Sequence, residues 1–258
     1  MITKYKLTIA IDDVNPSPKY RILGTPVEAW LRDLYLTFGC KFTLFIPSCY
    51  HGKWPIGANR TWVNELVDCG MFELAAHGHY HQTSNPKLYG ECEFLELQAK
   101  DEIRTRLHLI WEEWNKCLHW EDVPVGWRNP GWLCSPTSAE IISSKFYKTT
   151  SSKNIDKHPL QRVSMVSYGR NFVDYVALHY EHNNNLAWNE CKTFFGHDGI
   201  QVSNINVHNT DMFMFTSHIA GNHNHNVWSL ENYEQFKLSL EYLFGKFDLE
   251  PKFLKECL

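Results

Sequence analysis

An α/β architecture with a mostly parallel sheet follows from the way this chain alternates. Short apolar runs of strand length are separated by longer stretches with apolar residues at helical spacing, the pattern of strand–helix–strand units. The apolar runs end repeatedly in polar, chemistry-bearing residues, as strands of a parallel sheet do at the face where ligands bind. No internal repeat or low-complexity linker interrupts the 258 residues, so one domain over 1–258 is expected, with 153–212 as an elaboration of it.

Lys6–Ile11 (KLTIAI) is apolar and partly β-branched, and it stops at Asp12 and Asp13, which reads as a buried strand with acids at its end. Thr25-Pro26 opens a helix whose apolar residues run to Phe38, with Gly39 as the stop. Lys41–Ile46 is a second strand, and Thr61-Trp62 leads into a short helix ending at Gly70. Met71–Ala76 is a third strand, running into His77-Gly78-His79-Tyr80-His81. The helical spacing then predicts one long helix over about Cys92–Leu118, which would bury both Trp111 and Trp114. Val125–Trp132 (VGWRNPGW) is a strand breaking into a Pro-Gly turn. Ser135–Ser144 is a helix opened by Ser-Pro, and Phe146–Thr150 is another strand. Residues 153–212 are less legible, with a strand expected at Val173–Tyr180 and a turn at Asn183–Asn185. Met212–Ser217 is a strand ending at His218, and Glu231–Phe247 closes the chain as an amphipathic helix.

Composition narrows the function. With 43% hydrophobic residues the chain can bury a full core, which excludes extended disorder. A net charge of −4 without a Lys/Arg block argues against nucleic acid as a partner. No stretch reaches the roughly 18–20 apolar residues that span a bilayer, so no membrane insertion is expected. The N-terminal segment MITKYKLTIAIDDVN is too short and too interrupted for a secretory signal, and the eight cysteines are scattered without a C-x-x-C pair. A cytoplasmic protein with reduced thiols is the expectation. Aromatic residues at 14% leave room for a face that stacks on a flat ligand such as a sugar ring.

The polar clusters sit at four strand ends: Asp12-Asp13, His77-x-His79-x-His81, Arg128 and His218. In a parallel sheet these ends share one face, so groups far apart in sequence converge. Two histidines and a carboxylate form an open N/N/O donor set that suits Zn²⁺ or a similar first-row divalent ion and leaves positions for water. His77 and His81, four apart, share one side of a helical turn. His77 and His79 would share a face if the strand continued, but Gly78 and the following Gln-Thr-Ser favour the first pair. A solvated or hydrogen-bonded core cluster is the competing reading for the histidines. A turn pair is the competing reading for Asp12-Asp13, since Asn15-Pro16 follows. Adjacent aspartates on an extended chain point apart, so one would ligate metal while the other acts as a base. Trp127 and Trp132 flank the Pro-Gly turn, either walling a sugar pocket or packing in the core.

Taken in order, strand-Asp-Asp, H-x-x-x-H, R-x-P and a late strand ending in His resemble the polysaccharide deacetylases, the NodB-homology domain of carbohydrate esterase family four, over residues 7–218. The resemblance implies an irregular (β/α) barrel of about seven parallel strands. It implies a metal-dependent hydrolase that removes an N-acetyl or related acyl group from a sugar or glycan precursor, with one divalent ion, zinc first. Carried over residue by residue, Asp12 matches the base, and Asp13, His77 and His81 match the metal ligands. Arg128 matches the arginine that pairs with the base, and the Gly131 N–H falls at an oxyanion donor. His218 matches the general acid. Pro130 and Trp132 fall at the substrate side of the same turn. Asp156 is the best-placed aspartate to orient His218, with Asp174 and Asp198 as alternatives.

The first motif reads A-I-D-D-V rather than T-F-D-D-G, and Gly131 follows the R-x-P proline where an aromatic residue is usual. These departures point to a divergent branch and bear on the substrate more than on the metal. Two other functions stay open: a metal-dependent amidase acting on a small non-sugar molecule, and a catalytically silent carbohydrate-binding protein. In a cytoplasmic enzyme the expected substrate is a nucleotide- or lipid-linked glycan under assembly.

Overall fold

The computed structural model describes residues 4–119, 126–145, 230–246 and 248–257, together with strand segments 149–151, 167–168, 171–172, 203–204 and 212–218. The strand expected at Val173–Tyr180 and the turn at Asn183–Asn185 lie outside the described residues, as do Asp156, Asp174 and Asp198.

The strands are β1 (Lys4–Asp12), β2 (Phe42–Ile46), β3 (Cys49–Tyr50), β4 (Trp54–Pro55), β5 (Phe72–Ala76), β6 (Gly126–Arg128), β7 (Thr149–Ser151), β8 (Ser167–Tyr168), β9 (Asn171–Phe172), β10 (Ser203–Asn204), β11 (Met212–His218) and β12 (Asp248–Pro251). The α-helices are α1 (Pro26–Phe38), α2 (Arg60–Asp68), α3 (Pro86–Tyr89), α4 (Glu93–Glu96), α5 (Lys100–Cys117), α6 (Pro136–Lys145) and α7 (Leu230–Lys246).

The main sheet runs β10-β11-β1-β2-β5-β6-β7-β8-β9. From β11 to β7 all neighbours are parallel. β12 adds in parallel to the start of β1, pairing Lys4–Leu7 on the edge that β2 covers further along. The alternation of strand and helix is thus realised as an α/β fold, but the sheet is open. A closed barrel would need β7 to pair with β11. Instead β7 pairs antiparallel with β8, and β11 pairs antiparallel with β10. Among the described residues no ladder joins the two ends, which corrects the expected barrel of about seven parallel strands.

β2 and β5 are buried at every position, as strands covered on both faces must be. The polar residues they carry are satisfied inside. Thr43 Oγ1 donates to Glu73 Oε2 at 2.7 Å, and the Lys255 N–H reaches the same oxygen at 3.2 Å, so Glu73 is structural. α1 starts at Thr25 with Pro26 in its first turn and ends at Gly39, whose left-handed backbone (φ 69°) returns its N–H to Leu34 and Tyr35. It buries Val27, Leu31 and Leu34. α7 packs beside it, with Tyr233 stacked on Trp30 and Lys237 paired to Asp33 at 2.7 Å.

The long helix expected over Cys92–Leu118 is broken. α4 ends at Glu96, Leu97 and Ala99 are extended, and α5 begins at Lys100. The cause is tertiary: Ser135 Oγ and Ser138 Oγ both donate to the Leu97 carbonyl, at 3.0 and 3.3 Å, taking the acceptor that a continuing helix would use. α5 buries Ile103, Leu107, Ile110 and Trp114 in one stripe. Trp111 lies off that stripe and is 44% exposed, so only one of the two expected core tryptophans is in the core. No helix among the described residues is long and apolar enough to cross a membrane.

Candidate metal centre

Because β11, β1, β2, β5 and β6 are parallel, their C-terminal ends lie on one side of the sheet. β1 ends at Asp12, which is directly opposite His218 in the parallel register. Asp13 then takes a left-handed backbone (φ 65°), held by Asn15, whose Nδ2 donates to the Asp13 carbonyl at 2.8 Å while its Oδ1 accepts from the Ser17 N–H at 3.1 Å. A turn thus does follow Asp12, as the competing reading of the Asp12-Asp13 pair had it, but Asp13 lies with the two histidines as well. Both carboxylates are buried.

Asp13 faces the histidines. Its Oδ1 lies 2.9 Å from His81 Nε2 and 3.4 Å from His77 Nε2, and the two Nε2 atoms are 3.2 Å apart. A tetrahedral ion with bonds of about 2.0–2.1 Å holds its ligand atoms about 3.3 Å from one another. The three donors match that spacing, and they are the group among the described residues able to hold a metal ion. His77 Nδ1 lies 2.9 Å from the Arg128 carbonyl, an acceptor only, so Nδ1 carries the hydrogen and Nε2 offers its lone pair to the shared point. His81 Nδ1 faces Glu91 Oε2 at 3.6 Å. Burial opposes a charge on His81, but Asp13, then Glu91 and Glu93, outweigh it and raise its pKa to about 9.

His77 and His81 converge, but not on a helical turn as the spacing suggested. Gly78 and His81 are both left-handed (φ 75° and 53°), and the segment runs beside the loop after β2. The N–H groups of Ser48, Cys49 and His51 donate to the carbonyls of Gly78, His79 and Tyr80. His79 points elsewhere: its Nδ1 lies 2.6 Å from Ser48 Oγ, and burial pushes its pKa down to about 4. It is the hydrogen-bonded core histidine of the cluster.

Asp12 pairs with Arg128, Oδ1 to Nη1, and both side chains are fully buried. The guanidinium carbon sits 3.9 Å from the centroid of the Phe45 ring. Asp12 Oδ2 is also buried and accepts no hydrogen bond among the described residues. Pro130 is buried, packing where a side chain at Gly78 would stand. Gly131 is left-handed (φ 61°), and a Cβ there would meet Cys92 Sγ at 2.5 Å. Gly131→Ala is thus expected to cost about 1–3 kcal/mol of stability by overpacking and backbone strain, read as a lower denaturant midpoint at unchanged slope. Trp127 is core: its ring meets Phe94 edge-on at 4.9 Å and its Nε1 donates to Asn129 Oδ1 at 2.8 Å. Trp132 ends the short 3₁₀ turn Pro130–Trp132, its side chain lying outside the described residues. His218 is described through its backbone alone.

Several contributors had no motif to mark them. Glu93, nearly fully buried, accepts the N–H groups of His79, Tyr80 and His81 on Oε2 and pairs with Arg106 through Oε1. The tertiary break that separates α4 from α5 is invisible to helical periodicity. Tyr50 and His51 stack at 4.0 Å beside the centre, with the Tyr50 ring 5.8 Å from that of His81. Their signal was only a two-residue strand, β3, too short to read from pattern.

No family model matches the chain, and no curated protein matches it. Solved structures do. A chitin deacetylase from the fungal pathogen Colletotrichum lindemuthianum aligns at 13% identity and TM-score 0.55, covering 98% of this chain and 87% of that one. A peptidoglycan N-acetylglucosamine deacetylase aligns at 12% identity and TM-score 0.54, covering 98% and 91%. The family-four esterase domain of a multidomain xylanase from the hindgut metagenome of Trinervitermes trinervoides aligns at 14% identity and TM-score 0.52, covering 98% and 89%. The chain therefore has a fold like that of the carbohydrate esterase family four deacetylases, with a buried Asp-His-His triad at the C-terminal end of its parallel strands.

Proposed function

We propose that this protein is a metal-dependent hydrolase that removes an acetyl or related acyl group from an amide nitrogen on a sugar or glycan precursor. The observation that carries the reading is the triad of Asp13, His77 and His81 set beside the buried Asp12–Arg128 pair. Zinc is the proposed ion, because two imidazoles and one carboxylate suit it and leave coordination positions open. When bound, the ion supplies Lewis-acid polarisation of the acyl carbonyl and a more acidic water.

The chain's own groups do the rest. Asp12, with Oδ1 held by Arg128, takes the water proton on Oδ2 as the new C–O bond forms. The Gly131 N–H donates to the acyl oxygen as its negative charge develops, a contribution of about 3 kcal/mol. His218, opposite Asp12 in the register, donates a proton to the nitrogen as the C–N bond breaks, releasing an amine and a carboxylate. Asp156 orients His218 in this scheme. Pro130 and Trp132 are assigned to substrate contact in this scheme, and the stacked Tyr50–His51 pair, with His51 exposed, offers a flat face for a sugar ring. The proposed setting is cytoplasmic and the substrate a nucleotide- or lipid-linked glycan, at a divergent position among the deacetylases. The likeness in fold to a chitin deacetylase and a peptidoglycan N-acetylglucosamine deacetylase supports this choice of substrate class.

The test is release of acetate and free amine from N-acetylglucosamine oligomers and nucleotide-linked N-acetylglucosamine by the zinc-loaded protein. Turnover that a chelator abolishes and zinc restores is the expected result. Zinc-loaded protein that binds these sugars and releases no acetate would overturn the enzyme reading in favour of a silent binder.

A further inference from the structure

One buried acid beside the triad has no place in the chemistry above. Glu93 is 1% exposed and sits on a helix of only four residues. Its Oε2 accepts the N–H groups of three successive residues, His79, Tyr80 and His81, at 3.0, 3.1 and 3.2 Å. Its Oε1 pairs with Arg106 Nη1, and the Arg106 guanidinium lies 4.5 Å from the centroid of the Tyr80 ring. Successive N–H groups converging on one anion form a backbone nest, which requires the chain to bend through left-handed residues. Gly78 and His81 supply that bend. Gly78 is also a steric condition: a Cβ there would stand 2.8 Å from Glu93 Oε2 and collide with Pro130.

The consequence falls on a metal ligand. His81 holds a left-handed backbone that a non-glycine residue adopts at a cost, and in that conformation its Nε2 lies 2.9 Å from Asp13 Oδ1. Three charge-assisted hydrogen bonds to a buried carboxylate offset that cost before any ion arrives. We propose that Glu93 is a positioning residue that pre-forms the metal site, fixing the backbone of residues 79–81 so that His81 Nε2 meets His77 Nε2 and Asp13 Oδ1. The proposal rests on the metal-binding reading of the proposed function. Arg106 holds the carboxylate in turn, clamped against Tyr80.

The test compares zinc affinity, by chelator competition, of stripped full-length wild type, Glu93→Gln and Glu93→Ala, with the melting temperature of each metal-free protein taken beside it. Zinc affinity is expected to fall about 10- to 100-fold, the range for outer-shell partners of ligating histidines, with Ala worse than Gln. The visible spectrum of the cobalt-substituted variants is expected to shift from that of wild type. A merely structural Glu93 would lower the metal-free melting temperature and leave both the affinity and the cobalt spectrum of the folded protein at wild-type values, which would overturn the proposal while leaving the metal reading intact. Wild type that takes up no metal overturns the metal reading and this proposal with it. Should neither variant fold, amide exchange in wild type decides. The N–H groups of His79, Tyr80 and His81 are expected to be protected in the metal-free protein. Protection that appears only on adding zinc would show a site assembled by the ion rather than by Glu93.

Discussion

Asp12→Asn is expected to lower kcat by about 10²- to 10⁴-fold while the protein keeps its full complement of metal. Asparagine has nearly the same shape as aspartate, so Asp13, His77 and His81 stay where they are. What is lost is an oxygen able to take the water proton. The substitution also leaves the fully buried Arg128 without its carboxylate partner on that side. Breaking a buried pair in this way costs about 3–5 kcal/mol, so a lower melting temperature is expected as well. The assay must therefore run well below the midpoint, with metal content measured on the same sample. A variant that holds metal and turns over at the wild-type rate would remove Asp12 from its proposed role.

The second large effect is on the metal itself. The His77→Ala/His81→Ala double variant is expected to retain no stoichiometric metal after dialysis and to show no more activity than stripped wild type. Each histidine contributes one Nε2 to a set of three donors, and Asp13 alone is a weak, single-carboxylate site. His79→Ala serves as the internal comparison. Its Nδ1 is engaged with Ser48, so its removal is expected to leave metal stoichiometry at the wild-type value. Metal analysis of the three proteins separates a specific triad from a general affinity of histidine-rich sequence for zinc.

The sheet strands were legible because their burial is written in composition. KLTIAI, KFTLFI and MFELAA are near-continuous apolar runs, and β1, β2 and β5 follow them to within about two residues at each end. The position of the site was legible for the same reason: acids, histidines and arginine placed after such runs share a face once the strands are parallel. What was not legible depended on contacts between distant residues. The break at Leu97 arises from Ser135 and Ser138, 38 and 41 residues on. The left-handed turns at Asp13 and His81, both unfavourable for non-glycine residues, are held by Asn15 and Glu93, and no local propensity announces them. The open sheet could not be told from a barrel, since closure depends on which strand each edge meets. Trp127 and Trp111 show the same limit from the other side: Trp127 fitted two environments by pattern and lies in the core, while Trp111, expected in the core, lies at the surface.

The measurement that bears most directly on the account is a zinc-soaked crystal structure with anomalous data collected at the zinc edge. The account predicts one strong peak about 2.0–2.2 Å from Asp13 Oδ1, His77 Nε2 and His81 Nε2, with the His77 Nδ1 bond to the Arg128 carbonyl and the Glu93 bonds to residues 79–81 unchanged. A peak elsewhere, or none at zinc concentrations that saturate such sites, would contradict it.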